Sequence, residues 1–219
     1  CDRATATAVA TAPLRDVRYG DYVLAYDERT RKTACSAVYA TVHDADSGNA
    51  ARGGVLAVRT AGGRLVRLTA NHFVFVVRGG SECDGAAVAV AAADVRVGDR
   101  LVVPGHERCD SGDVVVSVAA SARDDVELMT ALTMHGTIIA NGAAASTMAT
   151  YAPLGVHDHA AAHRALAPAR LFYALAEHYA PSLRFMPTLV LNAADALLRP
   201  TWLGAVATRL FSAASTSSF

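Results

Sequence analysis

A six-residue pattern occurs twice in this chain. Asp16-Val17-Arg18-Tyr19-Gly20-Asp21 returns 78 residues later as Asp94-Val95-Arg96-Val97-Gly98-Asp99, and each copy leads into an apolar run. Two copies of one turn-strand unit predict a β domain built from two similar halves related by an approximate two-fold axis. The rest of the first two thirds agrees. Short Val-rich runs at Tyr22–Tyr26, Ser36–His43, Val55–Thr60, Arg64–Leu68, Phe73–Val77, Val88–Ala91 and Val114–Ser117 are separated by Gly, Asp and Ser clusters, the signature of short strands. Gly62-Gly63 between two of these runs predicts a two-residue hairpin.

With 219 residues, 53% of them hydrophobic and 18% charged, the chain can bury one core and carry a smaller appended unit. Twenty basic residues balance twenty acidic ones, so no net field draws it to nucleic acid. It lacks the run of about eighteen apolar residues that crossing a bilayer requires. Cys1, Cys35, Cys83 and Cys109 have no C-x-x-C spacing, which argues against a zinc ribbon or a thioredoxin-like motif. Cys83 and Cys109 flank one strand pair and fit a disulfide as well as two surface thiols.

After Tyr151 the texture changes, which divides the chain into residues 1–150, mainly β, and 151–219, helical. Leu171, Phe172, Leu175 and Tyr179 share one helical face after Pro168, which suits a first turn. Leu183, Met186, Val190 and Leu197 form a second face, and Trp202, Val206 and Leu210 a third. Pro181, Pro187 and Pro200 separate the segments. By ordinary packing, such faces cover a β core.

Two features carry chemistry. Cys1 presents a thiol that, with chain upstream, is attached directly to a peptide bond and can attack the preceding carbonyl at very high effective molarity. Thr69-Ala70-Asn71-His72 supplies what that attack needs: a hydroxyl to hold and polarise the amide, and an imidazole to protonate the departing nitrogen. His135 is assigned no catalytic role. His157, His159 and His163 have ligand-like spacing but no cysteine or carboxylate partner, so a solvated helix start is expected and no metal.

The chain resembles the C-terminal autoprocessing domain of Hedgehog proteins, within the Hint (Hedgehog/intein) superfamily. The blocks that carry the likeness run in order: Leu14–Asp27, Leu68–Val76 with its Thr-x-x-His, Val95–Val103, Ala131–Ala149, and His157–Leu171, which is similar to the start of the family's sterol-recognition region. The resemblance implies a Hint-type pseudo-two-fold β domain and a single-turnover reaction. Cys1 would make the thioester with help from Thr69 and His72, and Asp44, preferred over Asp46, would act as base while a sterol hydroxyl takes the upstream polypeptide. Sterol is then a co-substrate, no cofactor is implied, and Leu171, Phe172, Leu175 and Trp202 mark the sterol or membrane-surface region. The implied location is the secretory pathway or the extracellular space.

Some residues depart from the family. Asp2-Arg3 follows the nucleophile where the family has Phe and a small-residue turn. Ser146-Thr147 stands where Hedgehog proteins carry a late cysteine, leaving only a hydroxyl contact to Cys1 available there. Splicing is disfavoured, since Ala145-Ser146-Thr147 replaces the terminal Asn an intein needs. The alternatives to sterol transfer are hydrolysis of the thioester and a degenerate Hint-fold binding module.

Overall fold

The duplicated motif folds the same way twice. In the computed structural model, which describes residues 1–8, 10–43, 54–78, 87–104, 112–121, 129–150 and 157–191, 3-10 turns at Leu14–Asp16 and Ala92–Asp94 end on the first residue of each copy. Each copy buries its first valine, Val17 or Val95. Each then makes a tight turn in which Asp21 N–H donates to Arg18 O at 3.1 Å and Asp99 N–H to Arg96 O at 3.0 Å. The third residue of each turn is glycine, with φ of +87° at Gly20 and +95° at Gly98. A type II turn demands that conformation, which a side chain would resist. The aspartate closes each turn by accepting the Arg18 or Arg96 amide on its carboxylate at 2.8 or 2.9 Å.

The turns launch β1 (Tyr22–Asp27) and β7 (Arg100–Val102), and the strands that pair with them continue the correspondence. In one half Gly20 N–H donates to Val38 O and Val38 N–H to Asp21 O; in the other, Gly98 N–H donates to Val115 O and Val115 N–H to Asp99 O. The halves are also laced together. Strand β2 (Lys32–His43), from the first half, pairs with β9 (Met129–Thr133), while β8 (Gly112–Ala120), from the second, pairs with β3 (Val55–Thr60). Each half therefore completes its sheet with a strand lying beyond the other copy of the motif. The expectation of two similar halves holds.

The chain is mainly β, as expected. One sheet has the order β1-β2-β9. The second adds β4 (Leu65–Thr69), β5 (His72–Val77), β6 (Ala87–Ala91), β10 (Thr137–Ala140) and β11 (Ala143–Ala149), and runs β10-β11-β5-β7-β8-β3-β4 with β6 also on β5. Val58, Val66, Val74, Val76, Val95, Leu101 and Val115 fill one core cluster. Burial of a large apolar side chain such as Phe73 or Phe75 contributes about 1.5–3 kcal/mol. The β3–β4 connection corrects the two-residue reading. Gly63 N–H donates to Thr60 O at 3.0 Å, Thr60 N–H to Arg64 O at 3.1 Å, and Gly63 has φ +81°, so Ala61-Gly62-Gly63 form a three-residue loop ending in a left-handed glycine. Asp113 from β8 fastens it, accepting from Thr60 Oγ1 at 2.6 Å, Gly62 N–H at 2.8 Å and Arg64 Nη1 at 2.6 Å.

Two helices follow: α1 (His159–Ala165), N-capped by Asp158, and α2 (Ala167–Tyr179), which has Pro168 in its first turn. They share a core with the strands, in which Ala162 and Tyr173 pack with Tyr39, Phe73, Leu132 and Met148. The packed face is not the expected one. Tyr173 and Ala176 are buried, whereas Leu171 is 62% and Tyr179 77% exposed, with Leu175 also exposed. An Ala/Leu-rich helix has apolar residues on more than one side, and tertiary packing selected the side with Tyr173. Beyond a 3-10 turn at Pro181–Leu183, a helical segment at 186–191 contains the Met186 and Val190 of the second expected face. Leu197, Trp202 and the third face lie outside the described residues, as do Cys83 and Cys109. Among the described residues, no helix is long and apolar enough to cross a membrane.

Candidate active site

Thr69 and His72 come together because β4 ends and β5 begins within four residues. The intervening turn is pinned on both sides: Ala70 N–H donates to Gly54 O, Ala93 N–H to Ala70 O, and Thr150 N–H to Asn71 O. Thr69 Oγ1 donates to Asn71 Oδ1 at 2.7 Å, so its hydroxyl is currently engaged within the turn. His72 Nε2 lies 2.8 Å from Ser146 O. A carbonyl only accepts, so in neutral His72 the proton sits on Nε2 and Nδ1 carries the lone pair. Burial pushes the His72 pKa below its ordinary value, with the Ser146 carbonyl opposing and nearby His159 adding to the shift. His72 is therefore neutral at neutral pH, poised to take up a proton at Nδ1.

Cys1 occupies a separate station. Its nitrogen donates to Tyr22 O at 2.9 Å, and its sulfur is bonded to Cys35 in β2, with Cα atoms 5.8 Å apart. The Tyr22 ring lies under the Arg3 guanidinium, 4.5 Å from its centroid, while the Tyr22 hydroxyl reaches Glu177 of α2 at 3.1 Å. Among the described residues, no hydrogen bond or ion pair joins Cys1 to Thr69 or His72. Asp44, the expected base, lies outside the described residues, and so does Asp46. The Thr147 hydroxyl, for which a contact to Cys1 was open, is buried without a hydrogen-bond partner.

Several partners were missed in the sequence. Cys35 carries no motif that ties it to Cys1. Ser146 and His159 were read as a substitution and a solvated helix start, yet they are 1% and 4% exposed. His159 Nδ1 is 2.8 Å from Ser146 Oγ, and Nε2 is 2.9 Å from Glu28 Oε1. Its burial corrects the solvated reading: α1 docks by inserting this ring edge-on against Phe75, with centroids 5.3 Å apart. His163 stacks on it at 6.0 Å. Burial first, then the Arg170 and His159 charges, bring the His163 pKa down to about 4. His135 Nδ1 meets Ser36 Oγ at 3.0 Å. No metal-binding group of three or more side chains occurs among the described residues.

Comparison with known proteins places this arrangement. The Hint module matches residues 3–197, nearly the whole chain. The chain belongs to the Hint family. It is thus a self-processing type of domain, and it is similar to the Tiggy-winkle hedgehog protein of Danio rerio, at 30% identity over 164 residues. That match covers 74% of this chain but 36% of the relative, so the chain spans about a third of that protein's length. Among solved structures, it is similar to a DnaB intein from Synechocystis sp. PCC 6803 (17% identity, TM-score 0.49, covering 64% of this chain and 87% of that one). An intein-like domain from Clostridium thermocellum is also similar (18% identity, TM-score 0.43, covering 61% and 86%).

Proposed function

We propose that this Hint module converts the peptide bond before Cys1 to a thioester and then transfers the upstream polypeptide to a sterol hydroxyl. The observation that carries the first step is His72, neutral and half-buried at the head of β5 beside Thr69, with its Nε2 proton committed to Ser146 O. In that step the Cys1 sulfur loses its proton and attacks the preceding carbonyl carbon. The bond from that carbon to the Cys1 nitrogen breaks, and the nitrogen leaves as an amine carrying a proton delivered through His72 Nδ1. Thr69 holds the amide once its hydroxyl leaves Asn71. In the second step the acceptor hydroxyl gives its proton to a base, Asp44, as its oxygen attacks the thioester. The carbon-sulfur bond then breaks and Cys1 regains its thiol.

An apolar cavity of about 370 Å³ supports a greasy acceptor. It lies between α2 and the 186–191 segment and is lined by Leu166, Ala169, Phe172, Met186 and Val190 among others, within the size range of small-ligand pockets. In this reading Phe172 contacts the acceptor, while exposed Leu171 and Leu175 with Trp202 meet the membrane surface that delivers it. The hedgehog relative and the Cys1–Cys35 disulfide support a secretory or extracellular setting.

One observation favours the degenerate, non-catalytic reading: a sulfur bonded to Cys35 is no nucleophile. Reduction separates the two. A fusion with a tag and linker upstream of Cys1, kept reduced, is expected to release the tag in hydroxylamine or thiol, and faster with cholesterol. Cys1→Ala abolishes all release. Asp44→Ala abolishes only the sterol-dependent part, with Asp46→Ala as comparator; loss in the comparator instead would move the base by two residues. If release needs neither sterol nor added nucleophile, water is the acceptor, and no release at all refutes the catalytic reading.

A further inference from the structure

Strand β11 carries a defect beside His72. Along its ladder with β5, Ala145 pairs with Val74 and Ala149 with His72, so three residues of β11 span what one residue spans on β5. Residues 146–148 therefore bulge, and a bulge releases backbone groups from the ladder. Three backbone groups of this stretch have defined partners. The Ser146 carbonyl accepts from His72 Nε2 at 2.8 Å, Thr147 N–H donates to Gly136 O at 2.8 Å, and Met148 N–H donates to Ser146 Oγ at 2.7 Å. Ser146 Oγ also meets His159 Nδ1 at 2.8 Å, and with the His159 ring proton assigned to Nε2, which faces Glu28 Oε1 at 2.9 Å, the hydroxyl donates to Nδ1.

We propose that His159, carried by the first helix of the C-terminal region, is a positioning residue for His72, acting through the Ser146 bulge. This rests on the self-processing reading above. The order Glu28, His159, Ser146 has the spacing of a proton relay ending in a serine nucleophile. Ser146 is nevertheless 1% exposed, and its oxygen already receives the Met148 amide, so the relay ends on backbone. What it fixes is the peptide that holds His72. Without an acceptor for its proton, the Ser146 hydroxyl turns toward Gly136 O, which is 3.5 Å away, and the bulge loses the bond that selects its geometry. His72 then loses the carbonyl that sets its tautomer. The helical region thereby takes part in thioester formation and does more than receive the acceptor. A second contact reaches the other half of the site: Glu177 of α2 bonds the hydroxyl of Tyr22, whose carbonyl holds the Cys1 nitrogen.

The test uses the full chain behind an upstream tag and reads two quantities. The first is the imidazole ¹⁵N shifts of His72, in a Cys1→Ala background that keeps the precursor intact. The second is the hydroxylamine cleavage rate of the reduced protein. Wild type is expected to show a single Nε2–H tautomer. His159→Leu is expected to mix the tautomers and slow cleavage roughly tenfold, since misplacing a reacting group by about an ångström can cost up to ~10²-fold. His159→Gln, which retains a donor and an acceptor, recovers most of both. Ser146→Ala keeps α1 docked while removing the bridge, and is expected to reproduce the His159→Leu shifts. It therefore decides the matter if His159→Leu does not fold. Unchanged His72 shifts in folded His159→Leu, or in Ser146→Ala, overturn the proposal. Absence of cleavage in wild type refutes the self-processing reading alone, because the tautomer readout does not depend on it.

Discussion

Replacing Cys35 with serine separates the two consequences of the disulfide, one for stability and one for chemistry. The bridge closes a loop with a sequence separation of 34. On the chain-entropy relation, a loop of that length removes about 3.8 kcal/mol of unfolded-state freedom, taken as (2.1 + 1.5R ln n) times about 298 K. The oxidised protein should therefore exceed Cys35→Ser by about 3–4 kcal/mol in urea unfolding, and reductant should remove the difference by lowering only the wild type. Chemistry runs the other way. In a precursor, the oxidised wild type should resist hydroxylamine because its Cys1 sulfur is bonded, whereas Cys35→Ser should cleave without reductant. Peptide mapping after alkylation reports whether Cys1 is free in each sample. If wild type with Cys1 shown to be bridged cleaves as fast as Cys35→Ser, the thiol is not the attacking group. If alkylation finds Cys1 free in the oxidised wild type, the bridge is absent and the stability difference should vanish with it.

Three other predictions rest on single side chains. His163 carries a pKa lowered to about 4 by burial, with Arg170, His159 and His135 adding to the shift and Glu28 opposing it. The unfolded chain binds that proton near pH 6.5 and the folded chain does not, so this contribution is intact above about pH 6.5 and lost as pH falls toward 4. At about 1.36 kcal/mol per pH unit the loss is at most ~3.4 kcal/mol, and urea unfolding of His163→Leu should show a smaller drop over that range than wild type. Asp113 is nearly buried; its burial raises the carboxyl pKa, but Thr60, the Gly62 amide and Arg64 outweigh this and leave it below the ordinary value. Asp113→Asn should cost about 1.5–3 kcal/mol in thermal or urea unfolding, the range for a hydrogen bond to a charged group, with little change in the cleavage rate of the folded precursor. Gly98→Ala forces a side chain into φ +95° and should cost about 1 kcal/mol or more, matched by Gly20→Ala if the halves are equivalent.

What the sequence made legible is what periodicity and repetition encode. The Asp-Val-Arg-x-Gly-Asp copies contain their own turn chemistry: a glycine for the positive φ, an aspartate to close the turn and a valine to bury. Their equivalence was therefore readable without any partner strand. Val55–Thr60 matches β3 residue for residue, since its flanking glycines mark both ends. The Thr69–His72 turn was readable because both candidate residues lie within the one short connection between β4 and β5. Helical faces were less legible because alanine is apolar enough to sit on any side of α2. The choice between Leu171 and Tyr173 was made by the shape of the β surface beneath them.

The bulge at residues 146–148 had no sequence signal at all, for a physical reason. Ala143–Ala149 reads Ala-Ala-Ala-Ser-Thr-Met-Ala, with no apolar–polar alternation to fix its register, and a strand buried on both faces can absorb extra residues without exposing a polar side chain. Only the pairing partner reveals the shift, and that partner, β5, lies about seventy residues earlier in the chain. The same holds for Cys35 and for His159. Each is ordinary where it stands and acquires its role from a group far away in sequence: Cys35 from the sulfur of Cys1, and His159 from the carboxylate of Glu28 and the hydroxyl of Ser146. Local motifs therefore picked out the residues proposed to act on the scissile bond, while the groups that contact them became visible only through the pairing of β5 with β11 and the docking of α1. A site whose reacting residues are local and whose supports are remote should tolerate changes in its motifs far less than changes around them, except at those few remote supports.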